Sequence, residues 1–183
     1  MGIRASATCV MNYDKAIGYL AGEPHKGMRA MFTMMNAARL NVGLHGLSLS
    51  EIAYQNAVAY AKDRRQGRAL SGTNEPEHPA DTIISHPDIR RMLLNMRAFN
   101  EGARALALWI AFKADIAEVH PNKDVRRDAS DLVSLMTPVI KAYFTNTGFG
   151  SVNLGLQCFG GHGYIRETGM EQFVRDARIT QIY

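Results

Sequence analysis

From Gly27 onward, apolar residues recur at three- and four-residue steps, with Met28, Met31, Phe32, Met35, Val42, Leu49, Ile52 and Tyr60 falling on one stripe. Such spacing marks a helix that buries a single face. It predicts a first helix of roughly 38 residues, about 57 Å long at the usual rise, a length found in helical bundles. Gly43 and Gly46 lie inside it, where each costs roughly 1 kcal/mol, and close approach of a neighbouring helix or a ligand would offset that cost. The stretch "SGTNEPEHPADTIISHPD" has loop composition. At its end Ser85 is the expected N-cap of a second helix, with Pro87 in the first turn and Asp88 completing a capping-box pattern. This helix should run to about residue 119 on a stripe through Ile89, Met92, Met96, Phe99 and Ile110. "HPNKD" then interrupts the pattern. A third helix is expected over about 125–145 with a kink at Pro138, and a fourth apolar run over about 149–159 closes on Gly160 and Gly161, which suit a left-handed C-cap. A last helix begins near Met170. The pattern therefore predicts an all-α fold, an up-and-down antiparallel helical bundle over 27–183.

Residues 1–26 read differently. Short alternating apolar stretches interrupted by Asp14, Gly18, Gly22 and Pro24 suggest one or two short strands with turns. Two strands are marginal alone, so the expectation is a short β remnant, the tail of a β domain. The final helical pattern reaches Tyr183 without a capping residue, a glycine or a proline, and the helical domain is expected to be truncated at that end.

Composition narrows the function classes. At 183 residues and 46% hydrophobic content, the chain can bury a core as one domain, and it has no apolar run long enough to cross a bilayer. No basic-then-apolar leader or Arg/Ser-rich presequence is seen, so a cytoplasmic protein is expected. Cys9 and Cys158 give neither a disulfide framework nor a metal pair. The net charge of +4 is modest, and the arginines fall in pairs along helical segments, which leaves no continuous stripe for nucleic acid but permits discrete anion contacts.

The candidate chemistry sits in "QCFGGHGYIRETG", residues 157–169. Three glycines around His162 let the main chain pass close to a flat or phosphorylated group, and Gln157 could donate an amide hydrogen bond to it. A plain C-cap fits the same local pattern. Arg39 interrupts the apolar stripe between Met35 and Val42, where a buried guanidinium requires an anion or a carbonyl. Asn36, three residues earlier, shares its face. Arg64 and Arg65 suit the dipole at a helix C-terminus. Arg175 and Asp176 follow Glu171 by four and five residues and read as structural surface pairs.

The whole block "QCFGGHGYIRETGMEQFVRDARITQIY" resembles the C-terminal signature of the acyl-CoA dehydrogenase family, with its Gln-x-x-Gly-Gly-x-Gly-Tyr loop, Glu-x-x-x-Arg-Asp helix and Ile-Tyr pair. "GYLAGEPHKGM" is similar to that family's junction between middle β domain and helical domain. "MMNAARL" and "AYQNAVAYAKDRRQGR" resemble its first C-terminal helix, and "HPDIRRMLLNMRAFNEGARALALW" resembles the larger-subunit branch. The resemblance implies an FAD-dependent oxidoreductase that converts acyl-CoA thioesters to 2,3-enoyl-CoA. A carboxylate takes the α-proton and the flavin accepts hydride.

By the same resemblance, Gln157, Gly160 and Gly161 match the loop that contacts the adenosine diphosphate part of a neighbouring subunit's FAD. Arg64 matches the arginine that pairs with its pyrophosphate. Asn36 and Arg39 match positions lining the acyl-CoA site. The family's usual base, a glutamate, would follow Tyr183, so no catalytic residue is assigned within the chain, and these 183 residues alone are expected to be inactive. The implied partners are an acyl-CoA, an electron-transfer flavoprotein as acceptor, and further copies of the chain in a homodimer or homotetramer. Two departures stand out: "RRQGR" is one residue shorter than the family's Arg-x-x-Phe-Gly and lacks its aromatic, and Asn36 occupies a position where aspartate is common. An acyl-CoA oxidase, an inactive acyl-CoA-binding paralogue on the same scaffold, and an unrelated helical interaction bundle are the alternatives.

Overall fold

The computed structural model describes residues 2–4 and 6–182. Three long helices, α1 (Gly27–Asp63), α2 (Pro87–Val119) and α3 (Lys123–Phe159), are followed by a single turn, α4 (Gly161–Tyr164), and by α5 (Met170–Ile182). Short 3-10 turns at Ile83–Ser85 and Arg166–Thr168 precede α2 and α5.

Two small-residue contacts fix the direction of α3 relative to α1. A Cβ on Gly46 would lie 2.7 Å from the Phe144 carbonyl oxygen, and one on Gly155 would lie 3.1 Å from the Ala53 Cβ. Residue numbers therefore rise together along the two helices, which run parallel. Asn100 of α2 meets Ser50 of α1, whereas Ile110 clusters with Leu47 and Ile140, so α2 runs the opposite way. Gln181 Nε2 reaches Asn146 Oδ1 at 2.7 Å while Met170 packs with Cys158, which makes α5 antiparallel to α3. The up-and-down bundle predicted from periodicity is the observed one.

Two apolar clusters fill its interior. One holds Ala53, Ala57, Met92, Met96, Val152 and Met170. The other holds Leu47, Phe99, Ala103, Ile110, Ile140 and Phe144. Between them lies a buried polar layer in which Ser50 Oγ is 2.5 Å from Asn100 Oδ1 and 2.6 Å from Ser151 Oγ. Each of the three long helices supplies one member, so the layer ties α1, α2 and α3 at one level and pairs Asn100 Oδ1 and both hydroxyls, while the buried Asn100 Nδ2 has no partner among the described residues.

Three local expectations are corrected. The third and fourth helical runs are one continuous helix through Pro138 and Gly148. Proline removes one main-chain hydrogen bond, but the neighbouring turns bond on, and Gly148 is required because a Cβ there would lie 2.6 Å from the Gly46 carbonyl oxygen. Main chains of α1 and α3 meet at that point, and packing overrides the local weakness. The N-cap of α2 is His86, since Ser85 is drawn into the preceding turn by its N–H bond to Thr82 O at 3.0 Å and a residue before proline favours extended geometry. Asp88 accepts from Arg91 Nε at 2.7 Å, so no capping box forms. Finally, the described residues among 2–26 form no strand, because a strand needs a paired neighbour and none is present among the described residues.

Candidate functional site

Arg64 is the C-cap of α1, in extended geometry with φ −65° and ψ 125°. Its N–H donates to Tyr60 O at 2.8 Å, and its own carbonyl accepts from Ile83 N at 2.8 Å. The helix end is thereby fastened to the turn before α2, while the guanidinium has no acid or hydrogen-bond partner among the described residues.

The intervening chain, 65–82, is ordered around a buried acid. Asp81 accepts the N–H groups of Ala69 (2.9 Å), Asn74 (3.1 Å) and Glu75 (2.9 Å) together with Arg68 Nη1 (3.1 Å). The Ala69 N–H above all, and then Asn74 and Arg68, hold its carboxyl below the usual carboxylate range against the opposing effect of burial. Glu75 pairs with Arg65 and accepts the Thr82 hydroxyl at 2.8 Å. His86 Nε2 lies 2.7 Å from Gln66 O.

Facing Arg64 is the end of α3. Gln157 is exposed in its last turn, and its carbonyl accepts from Gly160 N at 3.0 Å. Gly160 has φ 57° and ψ −136°, a conformation that disfavours any side chain. Gly163 is fixed by packing inside the chain, since a Cβ there would meet the Leu156 carbonyl oxygen. Gly161 has neither reason. It opens α4 instead of extending a left-handed cap, and a Cβ on it would meet nothing within 4 Å.

Arg64, Gln157, Gly160 and Gly161 line a single cleft of about 440 Å³, joined by Tyr60, His86 and His162. No carboxylate is among its described lining residues. Tyr60 and Phe159 stack across its base with ring centroids 4.0 Å apart and planes 16° apart. Cys158 also borders it, but burial, with Asp88 a smaller cause, pushes its thiol up to about 11. It stays protonated and contributes no negative charge.

Asn36 and Arg39 belong elsewhere, since 25 residues of helix put Arg39 about 38 Å from Arg64 along α1. Arg39 is half-buried, donates to Asn36 Oδ1 at 3.4 Å and borders a second pocket of about 650 Å³ walled by Met31, Met34, Met35, Ala38 and Val42. Asn36 is exposed outside that wall. Arg175 pairs with Glu171 at 3.2 Å. Asp176 accepts from Gln172 Nε2 at 2.7 Å and from Ile3 N at 2.6 Å, which docks the first described residues on α5. Sequence reasoning missed this tie, together with Asp81 and His86. None carries a local signal beyond its residue type.

Residues 25–183 match the family model described as acyl-CoA dehydrogenase, C-terminal domain. Over its whole length the chain is 47% identical to 3-methylmercaptopropionyl-CoA dehydrogenase of Ruegeria pomeroyi, covering 30% of that protein. It is 36% identical to a broad-specificity linear acyl-CoA dehydrogenase of Mycobacterium tuberculosis, again over its whole length, covering 31% of that protein. Among solved structures, butyryl-CoA dehydrogenase from Megasphaera elsdenii superposes with TM-score 0.67 at 26% identity, over 88% of this chain and 36% of that one. Caenorhabditis elegans ACDH-11, solved with a CoA ligand, superposes with TM-score 0.73 at 25% identity, over 88% of this chain and 25% of that one. The chain thus spans about three tenths of the length of the curated relatives it matches. With the matched model, these likenesses establish that the chain belongs to the acyl-CoA dehydrogenase family, through its C-terminal domain.

Proposed function

We propose that this chain serves as the C-terminal helical domain of an FAD-dependent acyl-CoA dehydrogenase, with residues 1–26 as the end of a β domain and the 440 Å³ cleft as the seat for the adenosine diphosphate part of a neighbouring subunit's FAD. One observation carries the reading. Gly161, whose lack of a side chain nothing among the described residues requires, shares a cleft with Arg64, and among the described residues that cleft is lined by no carboxylate and Arg64 has no side-chain partner. A flat, doubly charged phosphate ligand suits that donor set, so the residues present fit the cofactor. Arg64 would hold the pyrophosphate through its planar fork of N–H donors. Gln157 would orient the same moiety with its amide, and Gly160 and Gly161 would let it approach the main chain. The chemistry the flavin supplies when bound is acceptance of hydride from the acyl β-carbon. Removal of the α-proton is assigned to none of these residues.

Arg39 and Asn36 would line the acyl-CoA site, with the methionine wall beside Arg39 offering a polarizable apolar surface. The name of the Ruegeria relative makes 3-methylmercaptopropionyl-CoA the first substrate to assay, followed by butyryl-CoA. An electron-transfer flavoprotein is the proposed acceptor, a homodimer or homotetramer the proposed assembly, and the cytoplasm the proposed location. No helix among the described residues is long and apolar enough to cross a membrane.

The test is purification of the natural gene product, with flavin absorbance measured against protein for wild type and Arg64→Ala. Wild type should be yellow and the variant should bind FAD about 10- to 100-fold more weakly, as expected for a charge-assisted contact. A wild-type protein that takes up no flavin would sink the reading. Reduction of an electron-transfer flavoprotein rather than oxygen separates the dehydrogenase from an oxidase.

A further inference from the structure

Asn100 is 1% exposed, and its amide is only half used. Oδ1 lies 2.5 Å from Ser50 Oγ, which also meets Ser151 Oγ at 2.6 Å, while Nδ2 has no partner among the described residues. Asn56 and Asn153, exposed on the same long helices, meet this need differently. Asn56 Nδ2 donates to the Ile52 carbonyl at 2.8 Å and Asn153 Nδ2 to the Phe149 carbonyl at 2.9 Å, each one turn back on its own helix. Asn100 sits where an unpaired polar atom costs most, yet it forgoes that bond and turns to Ser50.

The shortfall does not depend on which way round the amide lies. Were the nitrogen to face Ser50, it would donate to Ser50 Oγ and the Ser50 hydroxyl hydrogen would pass to Ser151, but Oδ1 would then lack a partner. Either arrangement leaves one buried amide atom unpaired at the same position, a donor in one and an acceptor in the other. A carbonyl or a cation answers only one of these, whereas water both donates and accepts. The place is closed to bulk solvent, since Ser50 and Ser151 are buried and an apolar cluster lies on each side.

We propose that the Ser50–Asn100–Ser151 layer binds an internal water molecule on the free atom of the Asn100 amide. Main-chain carbonyls of the surrounding helices, which keep a second lone pair, complete its bonds. The water closes a polar network that ties α2 to the α1–α3 pair. Those two helices need no such tie, because their main chains meet at Gly46 and Gly148. On α2 the exposed Gly102 makes no comparable approach, since a Cβ there would meet nothing within 4 Å. The network is thus a directional hold on α2, whose first turn carries Ile89 to the edge of the 440 Å³ cleft. The site stands whether or not that cleft holds FAD.

The experiment is a crystal structure of the natural gene product at a resolution that shows ordered solvent. A water should lie about 2.7–3.2 Å from the Asn100 amide atom that faces away from Ser50. An amide turned onto the Met96 carbonyl, in the manner of Asn56, overturns the proposal, and so does an amide atom with no water beside it. Asn100→Leu supplies a reading in solution, because it removes the amide while Ser50 and Ser151 keep each other. Discarding a fully paired amide should lower Tm by about 3 °C or more, and the water should be missing from the structure of the variant. An equal or higher Tm is the result of removing an amide that was left unpaired, and it too overturns the proposal. Should the variant fail to fold, the wild-type density decides alone.

Discussion

Residues 64–86 and residues 6–26 are of similar length and both lack long regular structure, yet they behave oppositely. The first folds around Asp81, which is wholly buried and bonded to three main-chain N–H groups and an arginine. The second carries more large apolar side chains, but leaves Val10 98% and Ile17 85% exposed. Apolar content does not order an irregular segment unless a surface is present to receive it. An inward-pointing carboxylate surrounded by its own chain's N–H groups does, because those groups would otherwise need water. The consequence is functional, since the ordered segment holds Arg64 and His86 at the cleft.

The comparison breaks most directly at Asp81. Replacing it with alanine orphans the N–H groups of Ala69, Asn74 and Glu75 and leaves Arg68 with only the Glu75 and His78 carbonyls as partners. Tm should fall by on the order of 10 °C, with new protease cleavage inside 65–82, measured by calorimetry and peptide mapping. If loop and Tm are untouched, the buried acid is not what orders it.

Next in size is the acid response. The pKa of Asp81 is lowered in the fold from an ordinary 3.8, so the folded state favours the ionised form. Its contribution is complete above that ordinary value and is lost as pH falls through the lower folded-state value. Protection of residues 65–82 from hydrogen exchange should therefore persist down to about pH 4 and collapse below it, and Asp81→Asn should be weaker at neutral pH with a flatter acid profile. Equal acid profiles for the two proteins would refute the assignment.

The smallest effect is expected in the other segment. Val10→Ser and Ile17→Ser should each change bundle stability by less than about 0.5 kcal/mol in denaturant titration, as exposed substitutions do. A larger loss would mean that residues 6–26 pack somewhere, and the contrast would narrow.

Much of the bundle was legible because long stripes such as Met92, Met96, Phe99 and Ile110 admit only one period. The join at residues 145–150 was not, because "NTGFG" looks like a break until Gly46 of a distant helix is brought against Gly148. The α2 cap was misread for a similar reason, as Ser85 has the right chemistry but a turn made by Thr82 claims it first. Of the site, Arg64 and the Gln157 to Gly161 loop were recognised through family resemblance. Spacing alone cannot bring together residues 93 positions apart, as Arg64 and Gln157 are. Asp81 reads in sequence as one more solvated acid in a Pro- and Gly-containing loop, and only the direction of its carboxylate reveals its role.

The two cysteines differ as sharply as the segments that hold them. Cys9 is exposed, whereas Cys158 is buried with its thiol pushed up to about 11. At neutral pH a maleimide dye should therefore attach at Cys9 and spare Cys158. Within this chain one labelling handle is thus available, placed where a spectroscopic probe can report whether residues 6–26 acquire a partner.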